Sequence, residues 1–187
     1  RFYDIIQSIE NNFDARCTKI IELDYYRFAA SFANSMVLCY SNRNQDGNLY
    51  KRTANLRFIG KMNEYSISEI TNLLKLNDIE FVGTSKVNKC IKFFVGGDDD
   101  IVDKKLIENI NLNGNPNSMV KCLNILLVGG QQCSGIFLVD LNEYKLIGNV
   151  HTNLYDVYSM TNLTNGNILA GVEEPDRNFA LVEYKIE

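Results

Sequence analysis

Tryptophan is absent from this 187-residue chain, histidine occurs once, proline twice, and neither sign of charge dominates. Each shortage removes a class of protein. A lone histidine, His151, with no cysteine, histidine or aspartate gathered at ligand spacing, argues against a zinc centre. Two prolines and a charged fraction of 22% are not the composition of a linker or a disordered segment. The net charge of -4 comes from scattered residues of both signs, so no basic stripe marks a nucleic-acid or anionic-membrane partner. No apolar run approaches the roughly 18–20 residues that cross a bilayer, and membrane insertion is not expected. The opening RFYDIIQSIE carries acids and no apolar centre, unlike a signal peptide, and a first residue of Arg rather than Met reads as processing or truncation.

Cysteine usage is equally sparing. Cys17, Cys39, Cys90, Cys122 and Cys133 are odd in number, never closer than 11 residues, and include no Cys-x-x-Cys. Most lie in apolar runs, where a reduced thiol behaves as a small hydrophobe, so a reducing, cytoplasmic setting is expected. The sequon Asn162-Leu163-Thr164 is expected by chance in a chain rich in asparagine and does not change that expectation.

What the chain does hold is 45% hydrophobic residues in short, evenly punctuated runs. Residues 136–171 read as strand, turn, strand, loop, strand, turn, strand, with Asn-Glu, Gly-Asn and Asn-Gly turn chemistry between apolar segments. Four apolar runs end in small residues: Arg27–Ser31, Glu80–Thr84, Leu126–Gly130 and Ile168–Val172. Their small residues Ala30, Gly83, Gly129 and Gly171 lie 53, 46 and 42 positions apart. An apolar strand precedes each run (Thr18–Leu23, Glu69–Leu76, Met119–Leu123, Tyr155–Met160) and another follows it (Met36–Tyr40, Cys90–Phe94, Ile136–Leu141, Phe179–Tyr184). A more polar fourth strand closes the first three units, at Asn55–Met62, Lys105–Asn111 and Tyr144–Val150. The stretch Ser66–Leu76 has helical spacing, but its place in the repeat predicts a strand.

Four strands in roughly 40–50 residues is the period of a β-propeller blade. The expected fold is therefore all-β, a propeller of four-stranded antiparallel blades. About four blades are expected in this chain, near 16–63, 64–114, 115–151 and 152–187, within a larger ring of about seven. Residues 1–15, with Phe2–Asn11 extended, would be the outer strand of a neighbouring or closing blade. A small residue on the second strand has a physical reason, because inner strands crowd together near the central channel.

The last unit carries the most specific motif residues. Asn149-Val150-His151-Thr152-Asn153 before Val157-Tyr158-Ser159-Met160 resembles the Gly-His and inner-strand opening of a WD repeat. Asn165–Gly171 is similar to that family's turn and second strand, and Asp176–Glu183 to its turn aspartate and third strand, with Val182-Glu183 standing where Trp-Asp would be. Val139-Asp140-Leu141 holds the same place one blade earlier. A kelch-type propeller is the weaker resemblance, resting on Val128-Gly129-Gly130 and Val95-Gly96-Gly97. With no tryptophan, the His–Ser/Thr–Trp network of the WD family cannot be complete. The resemblance implies structural roles for His151, Asp176, Asp140 and Gly171, with Asp176 the candidate hydrogen-bond partner of His151. It also implies a scaffold whose partners are other proteins, including further blades from missing residues or another chain.

Catalytic chemistry has little to stand on. His151 as a general base or ligand is outweighed by the loop-clasp reading. Asp98-Asp99-Asp100 lacks the alternating ligands and distal Glu of a calcium loop. Glu173, Glu174 and Asp176 fall in a turn between outer strands, away from any channel, although glycan-cleaving enzymes use paired carboxylates. The glycine pairs lack the Lys-Ser/Thr and helix of a phosphate cradle, and no serine or cysteine sits in a nucleophile motif. The expectation is a non-enzyme with no cofactor and no metal that binds other proteins; Tyr25, Tyr26 and Tyr155, near loops on the blade faces, fit partner anchors and rim packing between blades equally, so its binding residues stay open. The alternative is a propeller hydrolase or lyase acting on glycans, with Glu22, Asp24 and Glu69 as its carboxylates.

Overall fold

In this computed structural model, the structure describes residues 17–23, 27–32, 35–41, 54–58, 70–86, 88–95, 109–133, 135–151, 156–174 and 176–185. Every regular element among them is a β-strand. One antiparallel sheet runs β1 (Cys17–Glu22), β2 (Arg27–Phe32), β3 (Ser35–Ser41), β4 (Ala54–Phe58) in that order. A second runs β5 (Ile70–Lys75), β6 (Glu80–Ser85), β7 (Cys90–Val95), β8 (Asn109–Asn111). The third contains β9 (Asn115–Cys122), β10 (Ile125–Gln131), β11 (Gly135–Asp140) and β12 (Lys145–His151), each on its predecessor, followed by β13 (Asp156–Asn162), β14 (Ile168–Glu173) and β15 (Phe179–Tyr184).

The sequence periodicity therefore yields the expected strands nearly one for one. Ile70–Lys75 is extended despite its helical spacing, because β6 pairs along it and Ile70 and Leu73 enter a core. Strand β9 begins earlier than its apolar residues suggest, at Asn115-Pro116, where Gly130 and Gln131 oppose it. Sheets β9–β12 and β13–β15 are not separate: the single pair Gln131↔Asp156 bridges β10 to β13. The expected outer strand at Phe2–Asn11 lies outside the described residues.

Two compact units divide the chain, Arg1–Gly83 with Phe93–Leu106, and Thr84–Lys92 with Ile107–Glu187. In the first, β5 lies on β1 and β2. Leu23, Ala29, Ile70, Leu73, Phe81 and Phe94 form its core, with the Phe81 and Phe94 rings stacked at 5.2 Å. The hydroxyl of Thr18 donates to the Ile70 carbonyl at 2.9 Å, tying the first strand of one sheet to the first strand of the next. In the second unit, β13 lies across β9 and β10, and Val120, Leu127 and Ile136 meet Val157, Ile168, Ala170 and Val172. Burying an aliphatic side chain of this size stabilises by about 1.5–3 kcal/mol, so these faces hold the unit together.

The glycine pair of β10 shows what this packing demands. A Cβ on Gly129 would stand 2.5 Å from Val157 Cγ1, and one on Gly130 would stand closer still to the Asn115 carbonyl. The first glycine admits the neighbouring sheet and the second admits the bulged start of β9. Gly148, on the outer strand β12, has nothing within 4 Å of its would-be Cβ. Gly129→Ala is accordingly expected to destabilise the chain by about 1–3 kcal/mol through overpacking, and Gly148→Ala to change it by less than about 0.5 kcal/mol. Urea unfolding midpoints at constant m-value measure both.

Candidate interaction surface

Antiparallel succession sends the hairpins β9–β10, β11–β12 and β13–β14 to one end of the second unit. The β10–β11 turn and the turn at Glu174–Asn178 go to the other end. At the first end the β9–β10 hairpin closes with only Leu123 and Asn124 between the paired Cys122 and Ile125. So short a loop needs a positive φ, and Leu123 supplies it at +52°. Leucine is a poor residue for that region. Its side chain is also 82% exposed, while the Asn124 carbonyl accepts the backbone N–H of Leu141 at 2.8 Å and holds the tip against the next hairpin. The same end carries the turn at Asn165–Asn167, where Gly166 takes φ +87° and the Asn165 side chain accepts the Asn167 backbone N–H at 3.1 Å. The side-chain amides of Asn165 and Asn167 both donate to Glu183, holding its carboxyl below the usual range.

At the opposite end, Asp156 opens β13 and accepts the backbone N–H of Gln132 at 2.8 Å. The Tyr158 hydroxyl donates to Glu173 at 2.6 Å, with Asp156 Oδ2 at 3.4 Å. That hydrogen bond to Glu173, then burial, raises the Tyr158 pKa. The cluster fixes acceptors in place. Among the described residues, no group of three or more His, Cys, Asp or Glu side chains converges to hold a metal. Cys133 sits beneath it, with its thiol pushed up to about 11 by burial and then by Asp156.

A third exposed feature is lateral. Along β15 the exposed residues Phe179, Leu181 and Glu183 alternate with the half-buried Ala180, Val182 and Tyr184. Phe179 and Leu181 are 76% and 75% exposed, and the Phe179 ring lies 5.8 Å from that of Tyr158. The other face of the strand packs into the core under β10.

The residues singled out from sequence scatter over these features. Asp140 ends β11 and accepts the Asn142 N–H at 2.7 Å, and Asp176 accepts the Asn178 N–H at 3.2 Å, both as local turn contacts. His151 is the last residue of β12, opposite Gly135 in register; the conformation of its ring, and so its pairing with Asp176, lies outside the described residues. Gly171 pairs with Ser159 and Leu181 in the middle of β14. Glu22 is exposed at the end of β1. Asp24, Tyr25, Tyr26, Glu69, Gly96-Gly97, Asp98–Asp100 and Tyr155 lie outside the described residues. Sequence reasoning missed Leu123 and the Phe179–Leu181 face. A strand with large apolar residues on both parities, FALVEY, was the available signal for the latter.

The Cys133 environment carries a pH prediction. A thiol whose folded pKa exceeds its unfolded value favours folding below the unfolded pKa, and that contribution fades as pH rises from about 9 to about 11. Cys133→Ala should remove that part of the alkaline loss, read from urea midpoints between those pH values. Cys133 should also resist iodoacetamide at pH 8 until the chain unfolds, as peptide mass mapping would show.

No protein-family model matches the sequence, and no curated protein matches it. Similar solved structures exist. The WD40 β-propeller domain of Doa1 is similar with a TM-score of 0.64 and 13% identity, over 91% of this chain and 51% of that one. The computationally designed Ika4 protein is similar at 0.59 and 13%, over 92% of this chain and 94% of that one. The computationally designed Ika8 protein gives 0.59 and 13%, over 90% and 46%. The chain spans about half the length of the Doa1 domain. At this identity the likeness is one of fold: the chain is an all-β propeller structure, with β1–β4, β5–β8, β9–β12 and β13–β15 as its antiparallel blades.

Proposed function

We propose that this chain is a non-catalytic, WD-like propeller domain that serves as a scaffold for other proteins in the cytoplasm, as part of a ring larger than itself. Propellers host enzymes as well as scaffolds, so the fold alone decides nothing and the surface has to carry the reading. The observation that carries it is Leu123. A hydrophobic side chain at the tip of a two-residue hairpin, in a backbone region that glycine or asparagine occupies at lower energy, contributes nothing to the core. Its use is outward, as an apolar anchor for a partner surface. The neighbouring hairpin ends supply a polar rim around it, the arrangement found at protein–protein interfaces. Cysteines in apolar surroundings, such as the buried Cys90 and Cys133, support the reducing compartment.

Leu123→Asn tests the reading. Asparagine tolerates the left-handed region, so stability should hold or rise by up to about 1 kcal/mol. Partners captured by the unaltered chain from native lysate should be lost. Retention of every partner by the variant would remove Leu123 from the proposal, and the absence of any reproducible partner for the unaltered chain would end the scaffold reading.

A further inference from the structure

Two Asn-Gly pairs occur in this chain, Asn113-Gly114 and Asn165-Gly166, and the fold treats them in opposite ways. The dipeptide carries a chemistry of its own. The glycine nitrogen, unhindered by a side chain, can attack the amide carbon of the preceding asparagine and close a five-membered imide. Whether it does so depends on solvent access and on the freedom of the main chain at the glycine.

Gly114 has neither. It is buried, and a Cβ there would stand 2.5 Å from Cys133 Sγ and 2.7 Å from the Cys133 backbone. Just before the pair, Leu112 donates its backbone N–H to the Lys89 carbonyl at 2.7 Å, and just after it Asn115 is paired with Gln131. The main chain is clamped on both sides.

Asn165-Gly166 stands at the tip of the β13–β14 hairpin, with Thr164, Asn165 and Gly166 all exposed. Among the described residues nothing lies within 4 Å of a Cβ built on Gly166. Its φ of +87° favours glycine, so the turn that needs this residue also exposes the reactive pair. The backbone N–H of Asn167 donates to Asn165 Oδ1 at 3.1 Å, polarising the amide and meeting the oxygen on which charge develops during attack. Asn165 Nδ2, the nitrogen that must leave, donates to Glu183 Oε1 at 3.1 Å. The contact that opposes the reaction is the Gly166 N–H on the Leu163 carbonyl at 3.0 Å. It lies at a solvent-exposed tip, where local opening costs least.

We propose that Asn165 is a site of spontaneous modification, where the folded chain converts its own asparagine to aspartate and isoaspartate through an imide with Gly166. First the Gly166 nitrogen bonds to Asn165 Cγ and the Cγ–Nδ2 bond breaks, so that Nδ2 leaves as ammonia with the Gly166 proton. Water then opens the ring. Opening at Cγ gives aspartate, and opening at the backbone carbonyl gives isoaspartate, whose main chain runs through Cβ and Cγ. No oxidant or reductant takes part. Either product places a negative charge beside Glu183 and removes one of the two amide donors that hold its carboxyl below the usual range. Isoaspartate also adds a carbon to a turn closed by the Leu163 N–H on the Asn167 carbonyl at 2.8 Å. This hairpin tip therefore changes in charge and backbone length as the molecule ages.

Peptide mass mapping of the folded chain after incubation at pH 8 tests the site. The Asn165 peptide should move from the amide to the acid mass and split into two chromatographic forms. The Asn113 peptide should keep the amide mass in the folded chain and convert only in urea. Asn165→Gln, for which the ring would need a sixth member, should stop the change at that position. An Asn165 peptide that stays an amide in the folded chain while converting in urea overturns the proposal. An Asn113 peptide that converts as fast without urea overturns the selection by the fold. Asn165→Asp supplies one product outright and should lower the urea midpoint at pH 7. The carboxyl of Glu183 is depressed on folding, so its contribution is present above its unfolded pKa and lost on acidification. The gap between this variant and the unaltered chain should close as pH falls below about 4, and Glu183→Gln should remove it. No gap at pH 7 overturns the coupling to Glu183.

Discussion

The closeness of one sheet to the next is the constraint on which this structure depends. β13 comes so near to β10 that Gly129 has no room for a methyl group against Val157. Face-to-face sheets ordinarily stand about 10 Å apart, with side chains from both filling the gap. Here the inner strands approach more closely than that, and only a residue without a side chain permits it. The consequence spreads outward. With Gly129 bare, Val157 can enter, and the aliphatic side chains of both sheets close around it as a single core. The bulge after Val157 lets Met160, three residues on, reach the same glycine. The bridge Gln131↔Asp156 then fixes the end of one strand to the start of the next.

Tight sheets leave little chain for their connections, and the turns absorb the strain. Lys89, Leu123, Gln132, Tyr144 and Arg177 all take positive φ without being glycine. Each sits in a turn between paired strands, and at three of them an acceptor fixes the backbone N–H: the Lys86 carbonyl for Lys89, Asp156 for Gln132 and the Glu174 carbonyl for Arg177. The energy stored in these turns is small beside that of the faces they connect, about 1–2 kcal/mol per residue at most. Because the blade interfaces set the strand ends, the turn residues are free to be chosen for what they present. That freedom allows an exposed leucine at a hairpin tip.

Much of the fold was legible in the sequence because the blade interface writes a local signal. Ala30, Gly83, Gly129 and Gly171 each close an apolar run, and the spacing of those runs predicts the strand order. The β6 and β7 strands, buried on both faces, read as unbroken apolar runs for the same reason. The surface was much less legible. Nothing in Cys122-Leu123-Asn124-Ile125 distinguishes an exposed tip from a continuing strand, since the positive φ follows from the pairing of Cys122 with Ile125 and not from a glycine. Gly129-Gly130 gave a kelch-like signal, although its two glycines answer to two different neighbours, Val157 and the Asn115 carbonyl.

Gly171 poses the remaining question of physical chemistry. Glycine in a strand interior weakens it, through chain entropy and the lack of a side chain to pack. At Gly129 that loss is offset by the sheet it admits. At Gly171 the nearest neighbour among the described residues is the hydroxyl of Ser159, the far end of a side chain that can turn away, so alanine would fit with little adjustment. Leu181, opposite Gly171 in register, and Phe179 add the free energy of solvated apolar surface to the same face. Taken singly, an exposed leucine or a strand glycine needs no explanation. Together they place three unfavourable choices on one surface, and removing that surface from water would turn all three favourable at once.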